Sequence, residues 1–369
     1  MMKLSQDEAL RYQRQLILIG SEGQTRLKTA KVLCVGAGGL AHPALQYLVA
    51  AGVGTLGIMD NDLIEISNLH RQIHFTTTDI GRPKATVIAT KLQQQNPHVK
   101  FNVYDQAFST ETASLITDYD VILDGSDNYR TRYLLNDACH LQQKPLISAS
   151  IFQWQGQLSV FNYLKGPCYR CLYPTPPTID ERPSCAEAGV LGVLPGVMGT
   201  LQATEVLKIL LQQGESLSGR LLTYDALSAQ FQTYHLLVDS DCPLCQRGEL
   251  SMALHSENTC SQERGQPARN MLEVSAEQLA KWLNQYPSTL QLLDVRETYE
   301  REAFHIGGEH LPLSAFDPEQ LNFDKTALTV VYCKAGGRSL QAVEILRQMG
   351  YQQAMSLKGG MLAWQALDT

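Results

Sequence analysis

The sequence has no excess of positive charge. Its 30 lysines and arginines are outnumbered by 37 aspartates and glutamates, giving a net charge of −7 and a pI near 5.7. No basic stripe is available to neutralise a phosphate backbone, so nucleic acid is not expected as a partner. No run of ~18 apolar residues occurs either, so neither a transmembrane helix nor a membrane partner is expected. The stretch MMKLSQDEALRYQRQ turns charged too soon for a signal peptide, and a cytoplasmic location is expected. No internal repeat is visible. What the chain does have is apolar content, 44% of 369 residues, enough for the packed cores of ~2 to 3 domains. It also has nine cysteines, which in a cytoplasmic chain favour metal binding or catalysis over disulfides.

The organising stretch is 31–62. An apolar run at 32–35 suits a buried parallel strand. Gly36-Ala37-Gly38-Gly39-Leu40-Ala41 follows at once, a GxGxxA turn opening a helix whose free N–H groups would face a phosphate. A second strand at 55–59 ends at Asp60, placed to take a ribose hydroxyl. On this stretch alone an NAD-dependent oxidoreductase fits as well as any other nucleotide enzyme.

Upstream, Ser5 and Glu8 form a capping box, and a helix is expected through RYQRQLIL, carrying Arg11 and Arg14, with a second short helix at 24–29. Downstream, the polar segment after Asp60 holds Asp62, Asn68, Arg71 and Gln72, and Pro83 starts a helix at Lys84. Strands are expected at 99–104, 121–123 and 145–149, alternating with helices at 109–116 and around Cys139. The strand at 121–123 ends in Asp124-Gly125-Ser126-Asp127-Asn128. A strand at 157–163, a long helix at 195–213 and strands at 220–225 and 230–237 follow. The repetition predicts a Rossmann-like, mainly parallel α/β sheet over 1–245. Residues 246–270 read as a linker containing Cys260, able to span roughly 25 Å as a flexible coil. A smaller α/β domain over 271–369 is expected from helices at 275–284 and 339–348 and strands at 290–295, 328–333 and 353–357.

Asp60, Asp62, Asn68, Arg71, Gln72, Lys84 and Asp127 would gather at successive strand ends. Cations mixed with carboxylates suit a triphosphate with Mg²⁺ better than a nicotinamide. Cys168-x-x-Cys171 and Cys242-x-x-Cys245 are two knuckles about 70 residues apart, a spacing that favours tetrahedral zinc over a redox pair. Cys185 sits in a loop rich in proline, glycine and charge. It reads either as a small buried hydrophobe or as a functional thiol. Cys333 ends an apolar strand and begins Cys333-Lys334-Ala335-Gly336-Gly337-Arg338-Ser339, a loop whose N–H groups and following helix would stabilise a thiolate or persulfide, with Lys334 and Arg338 adding charge. Four residues separate Cys333 from Arg338, too tight for the phosphate loop of a cysteine phosphatase.

In order, G-x-G-G, D-x-D, N-L-x-R-Q, G-x-P-K and D-x-x-D-N resemble the adenylating domain of the MoeB/ThiF/HesA family, relatives of ubiquitin-activating enzymes, over roughly 5–245. The resemblance implies that ATP adenylates the C-terminal glycine of a small ubiquitin-like sulfur-carrier protein ending in Gly-Gly. It implies that Gly36, Gly38 and Gly39 line the nucleotide and that Asp60 holds the ribose. It implies that Asp62 belongs to the same site. Asn68, Arg71, Gln72 and Lys84 would hold phosphates, and Asp127 would sit near Mg²⁺ and the α-phosphate. Arg14 resembles the arginine that reaches the partner subunit's ATP, which implies a homodimer. The four-cysteine zinc is implied to be structural, and Cys185 resembles a loop cysteine that takes part in sulfur transfer. Ala41 departs from the family, where a third glycine is common. Over 271–369, Leu292-Leu293-Asp294-Val295-Arg296-Glu297, His305-Ile306-x-Gly308, the Cys333 loop and Lys358-Gly359-Gly360 resemble a rhodanese, with Cys333 the persulfide carrier and a cysteine desulfurase or thiosulfate as sulfur donor. The expected product is a carrier thiocarboxylate, serving molybdopterin, thiamine, thiolated tRNA or another sulfur-containing product. A non-catalytic zinc scaffold is the remaining alternative.

Overall fold

The structure, a computed structural model, describes residues 4–176, 189–248, 272–286 and 289–367. The chain forms two compact units, Met1–Cys260 and Ser261–Thr369. Nearly all of the expected linker, and Cys260, lie outside the described residues.

The first unit is built on one eight-stranded sheet, ordered β3-β2-β1-β4-β5-β6-β7-β8. The strands are β1 Lys31–Val35, β2 Thr55–Met59, β3 Lys100–Tyr104, β4 Val121–Asp124, β5 Leu146–Phe152, β6 Gln155–Phe161, β7 Arg220–Asp225 and β8 Gln230–His235. The pairs from β3 through β5 are parallel, and β5 through β8 are antiparallel. Side chains alternate across a strand, so β1 serves two cores. Val32 and Cys34 join one, and Leu33 and Val35 the other. Burial on both faces explains why this strand reads as an unbroken apolar run.

Among the described residues the α-helices of this unit are α1 Gln6–Arg11, α2 Gln13–Thr29, α3 Ala41–Ala51, α4 Lys84–Gln95, α5 Tyr129–Leu141, α6 Tyr169–Leu172 and α7 Leu194–Leu211. The Ser5–Glu8 capping box is present in both directions, at 3.2 and 2.7 Å. The helix expected through RYQRQLIL is divided at Tyr12, and the second short helix is only the end of α2. Tyr12 is buried and its hydroxyl accepts Asn96 Nδ2 at 2.8 Å, so tertiary packing turns the chain there. Gly20, at φ 69°, breaks α2 again. The helix expected at 109–116 is a 3-10 segment, Ala113–Asp118. Thr112 Oγ1 accepts the Ser109 N–H at 2.8 Å, the local competition that disfavours α-helix.

Between β2 and α4 the chain is irregular and knotted to itself by Asp79. Its carboxylate accepts from Thr76 N–H and Oγ1, from Arg82 and from Lys91. Burial would raise the Asp79 carboxyl, but the Lys91 hydrogen bond and those of Thr76 outweigh it and hold it down to about 2. A lowered carboxyl stabilises the fold above its unfolded value near 3.8, and that contribution is lost as pH falls through about 2. Thermal unfolding of Asp79→Asn between pH 2 and 5 is therefore expected to show a shallower acid decline than wild type. Parallel curves would contradict it.

The second unit has a five-stranded sheet, all parallel, ordered β11-β10-β12-β13-β9. Its strands are β9 Glu273–Val274, β10 Gln291–Asp294, β11 Glu309–His310, β12 Thr329–Tyr332 and β13 Ala354–Leu357. Its helices are α8 Ala276–Gln285, α9 Thr298–Ala303, α10 Gly337–Gln348 and α11 Gly360–Gln365. Among the described residues no helix is long and apolar enough to cross a membrane.

Candidate functional site

In the strand order β1 is flanked by β2 and β4, the point at which the chain's progression across the sheet reverses. Ligands bind outside the carboxyl ends of the strands at such a point. Two glycine turns meet there. Gly36 has φ +94°, and a Cβ on it would lie 2.6 Å from the Gly125 carbonyl after β4. A Cβ on Gly125 would lie 2.7 Å from Gly36 O and 3.2 Å from Ala41 Cβ. Both positions therefore require glycine. Ala41 is fully buried, and its methyl occupies space that Gly125 leaves open. Gly39 abuts both Pro195, in the first turn of α7, and Arg71.

The expected polar residues are tied to this loop. Asp60 accepts the Ala37 N–H at 2.6 Å and the Asp62 N–H at 2.8 Å, each oxygen keeping a lone pair for a ribose hydroxyl. Burial raises its carboxyl above the ordinary value, and those two N–H bonds oppose the rise. Asp62 pairs with Lys84 at 2.7 Å, with Lys84 buried and Asp62 open. The backbone carbonyl of Asn68 accepts the N–H groups of Arg71 and Gln72 at 3.1 and 2.9 Å. Gln72 is buried, and its Oε1 has no partner among the described residues, a group that an incoming ligand can satisfy. Arg71 donates to the Ser67 carbonyl at 2.9 Å and to His70 Nε2 at 3.0 Å. Arginine can only donate, so that His70 nitrogen is an unprotonated acceptor. Burial, then the Arg71 charge, pushes His70 below its ordinary value. Asp127 is exposed, one residue beyond the Gly125–Ser126 turn. Arg14 is exposed on α2 and makes no contact with this cluster among the described residues.

Several supporting residues were not among the expected site residues. Asp124 is buried and accepts from Ser126 N–H and Oγ, Arg132 Nε and Ser148 Oγ at 3.0, 2.6, 3.0 and 2.6 Å, which fixes the turn before Asp127. Gln202 on α7 donates to the Asp124 carbonyl at 2.8 Å. His42, buried at the start of α3, accepts the His74 N–H on Nδ1 at 3.0 Å.

Cys168, Cys171, Cys242 and Cys245 converge, all four sulfurs within 4.8 Å of one another. Neighbouring sulfurs lie 3.4 to 3.8 Å apart, against ~3.8 Å for four thiolates at ~2.3 Å from a tetrahedral zinc. Hydrogen bonding to Cys171, then burial, pushes Cys168 up, and Cys171, receiving that bond, falls to about 5. Four thiols crowded this way cannot all ionise unless a cation joins them, so the donor set fits the metal. With all four positions taken by cysteine, no site is left for catalysis. Arg170, inside the first knuckle, forks onto Asp137 of α5 at 2.8 and 2.7 Å, both buried, and so joins the knuckle to that helix. Cys185 lies outside the described residues.

In the second unit Cys333 follows β12 and is buried. Its sulfur accepts the Gly336 N–H at 3.1 Å and the Ser339 hydroxyl at 3.3 Å, at the N-terminus of α10. Gly336, at φ +102°, makes the curl. Gly337 is already the first residue of α10, and Gly360 closes the loop from across it. A Cβ on Gly360 would lie 2.3 Å from the Cys333 carbonyl. Lys334 is exposed, whereas Arg338 faces Glu300.

Comparison with known proteins bears on both units. The family described as ThiF matches residues 12–244, and the rhodanese-like domain matches residues 275–367. A sulfur carrier protein adenylyltransferase of Thermus thermophilus is 50% identical over 252 residues, 66% of this chain and 93% of the relative. The adenylyltransferase and sulfurtransferase MOCS3 of Danio rerio is 38% identical, covering 98% of this chain and 86% of the relative. A probable adenylyltransferase/sulfurtransferase, MoeZ, of Mycobacterium tuberculosis is 39% identical, covering 98% and 94%. Among solved structures, E. coli MccB with ATP superposes with a TM-score of 0.57 at 22% identity, over 64% of this chain and 74% of that one, a likeness of fold.

Proposed function

The chain belongs to the ThiF family and carries a C-terminal rhodanese-like domain, an adenylyltransferase joined to a sulfurtransferase, and from that premise we propose the following reaction. ATP activates the C-terminal glycine of a small ubiquitin-like sulfur-carrier protein ending in Gly-Gly, and the rhodanese domain then delivers sulfur to form a thiocarboxylate. The observation that carries this reading is a set of contacts beside the glycine turn after β1: Asp60 with the Ala37 and Asp62 N–H groups, Asp62 with Lys84, and the Arg71 stem against Gly39.

The carrier carboxylate attacks the α-phosphorus, an acyl-adenylate forms and pyrophosphate leaves. No base is required, because a C-terminal carboxylate is already ionised near neutral pH. The obstacle is charge, since nucleophile and phosphates are all anionic. Arg71 and Lys84 offset it, Asn68 and Gln72 hold the phosphates, Asp60 anchors the ribose, and the glycine turn lets backbone N–H groups approach. Asp127 would hold Mg²⁺, which supplies further neutralisation of the triphosphate, and Asp62 positions Lys84. Arg14 reaches the neighbouring subunit's nucleotide in a homodimer. The domains are 1–245 and 271–369, with 246–270 joining them, and the fusion keeps the sulfur at high effective concentration near the acyl-adenylate. The Cys333 persulfide attacks the acyl carbon, AMP leaves and an acyl disulfide forms. Cys185 supplies the thiolate that attacks the Cys333 sulfur, the S–S bond breaks, the electron pair leaves on the carrier thiocarboxylate, and an external thiol reduces the disulfide that remains. A cysteine desulfurase or thiosulfate supplies the sulfur.

The test is incubation with ATP, a sulfur donor and candidate carriers, followed by mass spectrometry for a thiocarboxylate. No adenylate and no thiocarboxylate with any Gly-Gly carrier would refute the reading.

Zinc at the four cysteines is structural in this account. Cys168→Ser is expected to lose its zinc and to lower the melting temperature markedly, since the metal's binding energy is part of the folding energy. Full zinc stoichiometry in that variant, measured by atomic emission, would count against the four-cysteine assignment.

A further inference from the structure

The Cys333 loop is less positive than its residues imply, because Arg338 is already engaged. Its two terminal nitrogens donate to the two carboxylate oxygens of Glu300 at 2.6 and 2.8 Å. The side chains are 16% and 13% exposed, so the fork is largely shielded from water. Glu300 is held in its turn, Oε2 accepting the Glu297 N–H at 3.0 Å in the capping box that starts α9. Burial would raise the Glu300 carboxyl, but Arg338 and the Glu297 N–H outweigh it and keep it below its ordinary value. Arg338, held up chiefly by its hydrogen bonds to Glu300, also feels the Cys333 charge. Nearby, Arg296 and Arg301 both face Asp294, at 2.7 and 3.7 Å. Lys334 is exposed on the loop itself.

We propose that Glu300 is a specificity-determining residue of the sulfur-loading step: by occupying Arg338 it withholds a guanidinium fork from dianionic sulfonate-type donors and suits the loop to persulfide donors. This rests on the sulfurtransferase reading. With either donor the Cys333 thiolate attacks the sulfane sulfur and the donor's S–S bond breaks. The electron pair leaves on sulfite or on the donor thiolate, and the sulfane sulfur remains on Cys333 as a persulfide. No oxidant or reductant is consumed. The donors differ in charge and shape. Thiosulfate brings two negative charges and a sulfonate whose oxygens match a free guanidinium fork, whereas a persulfide brings one charge on its reacting sulfurs.

The test uses the full chain, cyanide as acceptor, and either thiosulfate or cysteine persulfide as donor. Wild type, Glu300→Gln and the double variant Glu300→Gln/Arg338→Gln are compared by the ratio of kcat/KM for thiosulfate to kcat/KM for persulfide. Glu300→Gln is expected to raise that ratio about tenfold through a lower thiosulfate KM, an effect that weakens with added salt and disappears in the double variant. A ratio unchanged within twofold would overturn the inference, as would a parallel fall in kcat with both donors, the signature of a merely structural Glu300. A wild-type chain that transfers sulfur from neither donor would overturn the sulfurtransferase reading and this inference together.

Discussion

Cys333→Ala is expected to abolish thiocarboxylate formation while ATP–pyrophosphate exchange continues. The second unit offers no other thiol at this loop, and its geometry is built around the one sulfur. The Gly336 N–H and the Ser339 hydroxyl point at it from 3.1 and 3.3 Å, and α10 begins beside it. Those donors hold the sulfur in place at the start of the helix. Removing one buried sulfur leaves a small cavity and costs about 1 kcal/mol of stability, too little to unfold the unit. Folding can be checked by a retained cooperative melting transition, lowered by only a few degrees, and the chemistry by mass spectrometry of the carrier. Cys333→Ser serves as the second variant, because it keeps an acceptor for Gly336 and Ser339 yet cannot carry sulfane sulfur. Equal yields from wild type and Cys333→Ala would remove sulfur transfer from this loop.

The parts of the fold that local pattern encodes were legible in the sequence. β1, β2, β4 and β5 are short apolar runs because both sheet faces are covered, and Ser5 and Glu8 announce the start of α1 through a bond that involves only neighbours. The nearness of Asp60, Asp62 and Lys84 was legible because strand ends gather side chains at a switch point whatever lies between. What escaped depends on distant contacts. Tyr12 divides the N-terminal helix only because Asn96 lies across from it. Gly125 is required only because Gly36 presses against it, and the methyl of Ala41, anomalous beside the family's glycine, is accommodated by the same absence of a side chain at Gly125. β9 and β11 are two residues long and hold no period to read. Glu300 looks like one more charge on a polar helix until Arg338, 38 residues away, is seen to face it.

Arg71→Ala is expected to lower ATP–pyrophosphate exchange by about 10²- to 10³-fold, and Lys84→Ala by a similar factor, ~2.7–4 kcal/mol of lost transition-state stabilisation each. Two features make the expectation strong. The stem of Arg71 lies against Gly39, beside the glycine turn, and its guanidinium is steadied by the Ser67 carbonyl and His70 Nε2. Lys84 is buried with Asp62 as its ion-pair partner, and its loss leaves that carboxylate facing an incoming triphosphate without its counter-charge. Arg71→Lys should recover only part of the loss, because an ammonium keeps the charge but not the planar fork. The reading also fixes how the loss divides between kinetic constants. If the cations act mainly as charge accumulates around the α-phosphorus, kcat falls more than the KM for ATP rises. A rise in KM alone would make them binding residues only. Exchange within threefold of wild type in both alanine variants, with normal melting profiles, would place the adenylation site somewhere other than the crevice between β1 and β4.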